Sequence, residues 1–365
     1  MFFRHSHPLQ AQTVSKTIFS KKIISWYKEY KRDLPWRHTR DPYKIWLSEI
    51  ILQQTRVLQG LPYYKVFVEN FPDVLSLARA REDRVLRLWQ GLGYYSRARN
   101  LHASARKVRD EYDGKFPNTF EELKKLPGIG TYTAAAIASM AFREPVAVVD
   151  GNVYRVLARV FGIDLDIAGG EGKAWFFEKA NELIDRQRPD LFNQAVMEFG
   201  ALHCTPQNPK CESCIFNRTC IARQQGLQQL LPVKTKGKKI RKRYFTYLVI
   251  EYRGRLLMRK RQPGDIWNGL YDFFLMERPR AMNPKKILEA LPDLKTISPA
   301  VVSNVHKHVL SHQHLMTRFV RMEVSNSKQL EQFIIKNDLA FYSSKQVANL
   351  PKPRLITRFL QECSY

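Results

Sequence analysis

Two carboxyl groups and a cluster of thiols are the residues of this chain best suited to do chemistry. Glu49 lies in Ile45-Trp46-Leu47-Ser48-Glu49-Ile50-Ile51-Leu52-Gln53-Gln54-Thr55. On a helix, at about 100° per residue, it falls among Ile45, Trp46 and Leu52 on a segment that is apolar almost all round. A carboxyl there is desolvated, so its pKa rises and it holds a proton to give near neutral pH. A glutamate paired with a buried arginine fits the same position. Asp150 stands before Gly151-Asn152, at the mouth of a helix starting near Val153. A plain N-cap satisfies that pattern. A capping carboxylate accepts backbone N–H bonds, stays ionised, and can face a developing cation. A proton donor and an anion in contrasting environments are the pair that glycoside hydrolysis uses.

The thiols are Cys204, Cys211, Cys214 and Cys220, spaced x6-x2-x5, with only Cys363 apart from them. Clustered cysteines in a chain without a disulfide-like distribution point to metal and to a reducing compartment. Four thiolates suit a tetrahedral zinc or a [4Fe–4S] cluster, and the residue types alone leave both open. The loop between them carries Lys210 and Arg218, placed to meet phosphates. Cys363, near the end of an amphipathic helix, reads as a packed thiol.

These groups need a scaffold, and its centre is the stretch from Leu126 to Leu157. Glu121 to Lys125 are helix formers, Pro127 and Gly128 stop that helix, and Gly130 is expected to supply a positive-φ turn. Thr131 or Thr133 would cap the next helix, whose alanine-rich run continues to about Phe142. A Gly-x-Gly turn opening a helix presents bare N–H groups to a phosphate, with no base read. A tight helix–helix corner has the same signature. Upstream, helices are expected near 18–31, 43–57, 61–70, 73–79, 82–90, 95–112 and 119–125, with Leu34-Pro35-Trp36-Arg37 as a break. No convincing strand precedes residue 230.

The charge balance names a kind of partner. Sixty lysines and arginines against 34 acidic residues give a formal net charge of +26, which fits a polyanion. No apolar run is long enough to span a bilayer, and the first residues lack a signal-peptide core, so a cytoplasmic protein is expected. Residues 1–13 read as a flexible tail, 14–226 as an all-α domain, and 227–243 as a basic linker. From 244 to 365 the pattern turns α+β. Strands are expected at 244–252, 255–260, 270–276, 301–310, 315–324 and 339–343, and helices near 284–291, 328–336 and 353–363.

Leu126-Pro127-Gly128-Ile129-Gly130, the following Thr-Ala-Ala-Ala-Ile, and Val149-Asp150-Gly151-Asn152-Val153-Tyr154-Arg155-Val156 together resemble the helix-hairpin-helix and downstream aspartate of endonuclease III-like DNA glycosylases. Trp46-Leu47-Ser48-Glu49-Ile50-Ile51-Leu52-Gln53-Gln54-Thr55 and Gly91-Leu92-Gly93-Tyr94-Tyr95 resemble the MutY branch, the adenine DNA glycosylases. The resemblance implies that Glu49 protonates the adenine ring and that Asp150, oriented by Asn152, faces the sugar cation. It implies that Arg37 is a pocket residue, that Leu52 and Gln54 enter the DNA stack, and that Tyr94 is a wedge beside the lesion base. It also implies a flipped base, Gly128 and Gly130 on the DNA backbone, and a structural [4Fe–4S] cluster on the four cysteines. Tyr132 stands where lyase members carry a nucleophilic lysine, so a monofunctional enzyme using water is implied, and a monomer is expected. Trp267-Asn268-Gly269-Leu270-Tyr271-Asp272-Phe273-Phe274 resembles the start of a Nudix domain. Its glutamate-rich catalytic helix is missing, since the next helix reads Pro284-Lys285-Lys286-Ile287-Leu288-Glu289. What remains is a recognition module for 8-oxoguanine opposite adenine, or guanine opposite adenine. In it Ser311 and His312 match the lesion-reading loop, and Leu310 replaces its aromatic residue. The rivals are an endonuclease III-like lyase on oxidised pyrimidines and a non-catalytic iron–sulfur DNA-binding protein.

Overall fold

The computed structural model describes residues 14–235, 240–281 and 301–363. The expected tail at 1–13 and the expected helix near 284–291 lie outside the described residues. The chain forms two compact units. The first takes residues up to 78 and from 103 to 235; the second takes 79–102 and the residues from 240 onward.

The helices, in chain order, are α1 Lys16–Tyr30, α2 Pro42–Leu52, α3 Val57–Asn70, α4 Val74–Arg79, α5 Glu82–Leu88, α6 Tyr95–Glu111, α7 Phe120–Leu123, α8 Thr131–Phe142, α9 Gly151–Phe161, α10 Gly170–Leu183, α11 Pro189–Leu202 and α12 Ile221–Gln224. α8 is buried from Thr133 to Met140, and its alanines at 134, 135, 136 and 138 are fully enclosed. Alanine gives α8 high helix propensity and lets neighbours pack close to its axis. The Ser104 hydroxyl donates to the Pro127 carbonyl at 2.6 Å, tying α6 to the turn before α8. Phe216, buried in the cysteine loop, stacks on Phe19 of α1 at 5.0 Å between ring centroids, which fixes the loop to this unit's core.

The expected single helix over 43–57 is two helices. α2 ends at Leu52, Gln54 adopts a left-handed conformation (φ 54), and α3 restarts at Val57. Gly60 lets the two helices pack closely: a Cβ there would lie 2.8 Å from the Leu52 Cδ2 and 3.2 Å from the Ile51 Cγ2.

Two expectations for the hairpin are corrected. The positive φ sits at Gly128 (φ 74), whereas Gly130 is extended at φ −91 and ψ −179. Neither Thr131 nor Thr133 caps α8: Gly130 is the N-cap, and no side chain bonds to it. Thr133 is buried, and its hydroxyl accepts from the Gln53 side chain at 3.2 Å.

In the second unit the strands are β1 Arg241–Tyr252, β2 Arg255–Lys260, β3 Tyr271–Asp272, β4 Phe274–Arg278, β5 Val301–Val302, β6 His306–Leu310, β7 Gln313–Glu323 and β8 Ala340–Ser343. They form one mixed sheet. β1 runs parallel to β7, pairing Arg241 with Gln313 through Glu251 with Glu323, and antiparallel to β2 and β4. α13 Glu331–Lys336, α14 Ser344–Asn349 and α15 Arg354–Glu362 follow. Phe359 of α15 stacks on Phe319 of β7 at 3.9 Å, and the half-buried Cys363 packs at the edge of that core, as expected of a packed thiol. The expected strands 270–276 and 301–310 are each split in two.

Within the basic stretch 227–243, the described residues at both ends are tied down. Leu231 is buried in the first unit's core, where its carbonyl accepts from Arg159 Nε at 3.1 Å. Arg241 already begins β1, and Arg243 is buried between Asp265 and Glu277 at 2.7 and 2.6 Å. Residues 79–102, read from the sequence as part of the helical domain, cluster with the sheet instead. Lys260 bonds Asp83 at 2.7 Å, Arg99 donates to the Asn268 carbonyl at 2.6 Å, and the Gln90 side chain accepts from the Lys352 N–H at 3.0 Å.

Candidate active site

A cavity of about 1080 Å³ opens in the first unit, lined among others by Arg37, Glu49, Gln54, Tyr132, Asp150 and Asn152. Glu49 enters it from α2, whose other side chains from Tyr43 to Ile51 are almost all buried. The glutamate itself is 7% exposed. Tyr132, in the first turn of α8, donates its hydroxyl hydrogen to Glu49 Oε2 at 2.6 Å. Burial pushes the Glu49 carboxyl up to about 7, helped by the charge of Asp150 and opposed by the Tyr132 hydrogen bond and by Arg37. The proton that the sequence pattern called for is therefore held near neutral pH.

The buried-arginine alternative for Glu49 is answered by a different carboxylate. Glu198 of α11 accepts from Arg37 Nη1 and Nη2, both at 2.8 Å, and from the backbone and side chain of Arg32. Burial alone would raise Glu198, yet the bonds from Arg37 and Arg32 hold it down to about 2. Arg37 thus lines the cavity, but its guanidinium is committed to Glu198 and to the Arg32 carbonyl at 2.9 Å.

Asp150 is the N-cap of α9. Its Oδ1 accepts from the Asn152 and Val153 N–H groups, each at 2.8 Å, and its Oδ2 from the Asn152 side chain at 2.7 Å. Burial outweighs these bonds and the nearby Arg155, so its pKa lies above the ordinary aspartate value. Three donors converge on Asp150 and one on Glu49, which separates the two carboxyls within the shared cavity and leaves Glu49 as the proton holder.

Behind Asp150 runs a chain of hydrogen bonds. Asn152 Oδ1 accepts from Arg155 Nη2 at 2.8 Å, and Arg155 also donates to the carbonyls of Gly200 at 2.6 Å and Cys204 at 2.7 Å. Gly200 is where α11 meets the start of α9. A Cβ there would fall 2.6 Å from the Asn152 Cβ and 2.9 Å from its carbonyl oxygen. Gly200→Ala is expected to shift Asn152 and slow turnover by about 10- to 100-fold while the protein still folds. Single-turnover kinetics beside a thermal melt check this; an unchanged rate would mean that Asn152 does not set the position of Asp150.

Tyr132→Phe tests the other carboxyl. The lost hydrogen bond lowers the Glu49 pKa in the native protein, so the variant's Glu49 should titrate at higher pH. The alkaline limb of the pH–rate profile should move up; a limb that stays in place would disconnect Tyr132 from Glu49.

At the rim, Gln54 is exposed in its left-handed turn, and Leu52 is half-buried beside Gly60. Gly128 and Gly130 shape the hairpin before α8, whose first N–H groups have no side-chain cap. Tyr94, Ser311 and His312 belong to the second unit. Tyr95 is buried and Tyr94 is 40% exposed (φ 49), so the tyrosine pair divides between core and surface. The Tyr94 hydroxyl hydrogen-bonds the Ser311 hydroxyl, and exposed Ser311 and His312 form the turn between β6 and β7.

Cys204, Cys211, Cys214 and Cys220 are all unpaired thiols lining one small pocket beside Arg159. Among the described residues no three ligating side chains converge on a single metal ion. Four thiols on one pocket are a donor set for a thiolate-bound metal centre. Hydrogen bonds already point at the sulfurs, from Arg159 Nη1 to Cys204 Sγ at 3.5 Å and from the Phe216 N–H to Cys214 Sγ at 3.3 Å, which suits cluster-bound thiolates.

Glu198, Arg155 and Gly200 were not singled out from the sequence. Arg155, a cation in a helix otherwise rich in valine and leucine, and Gly200, a glycine inside a helical pattern, were the available signals.

Residues 47–171 match the model of the HhH-GPD superfamily base excision DNA repair proteins, and 246–362 match that of the NUDIX domain. Among solved structures, a thermostable thymine-DNA glycosylase is 32% identical with a TM-score of 0.54, covering 57% of this chain and 97% of its own. An endonuclease III trapped in a covalent DNA intermediate shares the fold at a TM-score of 0.51 and 21% identity, over 59% of this chain and 100% of its own. The scaffold is thus that of a helix-hairpin-helix base-excision DNA glycosylase joined to a Nudix-like sheet domain. The adenine DNA glycosylase of Buchnera aphidicola subsp. Baizongia pistaciae is 34% identical over 348 residues, covering 93% of this chain and 96% of that protein. The chain belongs to the adenine DNA glycosylase family. No helix among its described residues is long and apolar enough to cross a membrane.

Proposed function

We propose that this chain hydrolyses the N-glycosidic bond of adenine mispaired with 8-oxoguanine or guanine in duplex DNA. The observation that carries the reading is the pair of unlike carboxyls in one cavity: Glu49 raised to about 7 with Tyr132 on it, and Asp150 held by three donors. The adenine leaves the stack and enters the cavity. Glu49 gives its proton to the ring, so that the base leaves neutral. Asp150 faces the positive charge that grows on the sugar, and water completes the hydrolysis. The cavity lining contains no lysine, so there is no amine to form a Schiff base, and the phosphodiester strand stays intact.

The exposed Gln54 enters the duplex, and the Gly128–Gly130 hairpin with the basic surface holds phosphates. Tyr94, Ser311 and His312 read the base opposite adenine. Cys204, Cys211, Cys214 and Cys220 hold a [4Fe–4S] cluster, whose contribution when bound is to fix the Cys204–Cys220 loop. The protein acts as a monomer in the cytoplasm, on nucleoid DNA.

The test uses duplexes carrying 8-oxoguanine·adenine, guanine·adenine or thymine glycol·adenine, with alkali added to half of each sample. Free adenine from the first, fastest of the three, with strand breaks only after alkali, is the expected result. Cutting at thymine glycol without alkali would move the chain to the lyase branch.

A further inference from the structure

Several side chains rim the cavity, and one of them has no evident reason to be there. Leu58, in the first turn of α3, is 89% exposed, above every other large apolar side chain among those described as exposed. A lone exposed leucine is ordinary on a protein surface. Its surroundings set this one apart, because it lines the mouth of the cavity that holds Glu49 and Asp150. It follows directly on the turn that presents Gln54 and Arg56, both exposed. Leu52 at the same rim is less available, since it is half-buried beside Gly60, 2.8 Å from where a Cβ on that glycine would sit.

We infer that Leu58 is an apolar wedge that packs on the duplex next to the position the adenine vacates, beside Gln54. This rests on reading the cavity as the adenine pocket. The occupant is duplex DNA for two reasons. The patch is continuous with the rim of that pocket, and a chain of net charge +26 brings a polyanion to it. The neighbouring Arg56 supplies the cation for a backbone phosphate, and Leu58 supplies the apolar face that unstacked bases need once they are parted. A side chain that costs solvation while the protein is free gains by being covered only in the complex.

The experiment compares full-length wild type, Leu58→Ala and Leu58→Phe in single-turnover adenine excision. One duplex pairs adenine with 8-oxoguanine; a second places the same adenine opposite an abasic site, where leaving the stack is already easy. Leu58→Ala is expected to slow the paired duplex by about tenfold or more, the span that burying a leucine side chain covers. It should slow the unpaired adenine less, and Leu58→Phe should restore most of the paired rate. Equal losses on both duplexes, or no loss on either, would overturn the wedge, the latter pointing to a protein partner for this patch. If wild type releases adenine from neither duplex, the adenine-pocket reading itself fails and the wedge falls with it. That outcome is separate from a wild type that works while Leu58→Ala works equally well.

Discussion

Glu49→Gln is expected to lower adenine excision by about 10²- to 10⁴-fold, the range a positioned proton donor contributes. The substitution is nearly isosteric, and its amide oxygen can still accept from the Tyr132 hydroxyl that now bonds Oε2 at 2.6 Å. What is lost is the proton. Stability should move the other way. Burial raises Glu49 from an ordinary 4.5 to about 7, so the folded protein binds this proton more tightly than the unfolded chain. Stability from that source is therefore fully present below pH 4.5 and is lost as pH rises through 7. The difference corresponds to roughly 3 kcal/mol of strain on the native state above that pH. At pH 8 the glutamine variant should then melt at or above the wild-type temperature while failing to release adenine. A variant that excises at the wild-type rate would remove Glu49 from the chemistry; one that melts early would attribute the loss to unfolding.

Asp150→Asn should cost about 10²- to 10³-fold or more, because it removes the negative charge facing the sugar cation. Asparagine caps helices about as well as aspartate, so α9 should keep its N-terminus. The local conflict is at Oδ2, which now accepts from the Asn152 side chain at 2.7 Å. An amide NH₂ there meets another NH₂, and Asn152 cannot turn over without giving up the bond its oxygen accepts from Arg155 at 2.8 Å. An unmade bond of this kind costs about 1–3 kcal/mol. The signature is thus a large fall in excision with a small fall in thermal stability and retained DNA binding. Excision within a few-fold of wild type would mean that the cation is stabilised by another group, and Asp150 would remain only a helix cap.

The two carboxyls were legible in the sequence because each depends on local pattern. Glu49 sits on a helix apolar on nearly every side, and Asp150 precedes a helix start, so burial and capping follow from spacing alone. What spacing does not give is the balance at Asp150: burial raises it further than its cap lowers it, and burial depends on the whole cavity. What surrounds them was not legible. Glu198 meets Arg37 across 161 residues of chain, and no local signal marks that pair. The break after Leu52, where Gln54 turns left-handed, carries no glycine or proline to mark it. Thr133 looked like a cap, but the fold turned it inward to Gln53. The hairpin glycines were recognised while their φ angles were interchanged, since Gly-x-Gly does not say which glycine takes the left-handed turn. Residues 79–102 are helical in pattern, and only tertiary contacts assign them to the sheet unit.

The most direct test of the central claim, that a buried and protonated Glu49 drives excision, is the pH dependence of single-turnover adenine release opposite 8-oxoguanine by the wild-type enzyme. The rate should hold on the acidic side of neutrality and fall steadily as pH rises through about 7, where Glu49 loses its proton. A rate that stays flat well above that pH would show that the proton comes from elsewhere, and would contradict the role of Glu49.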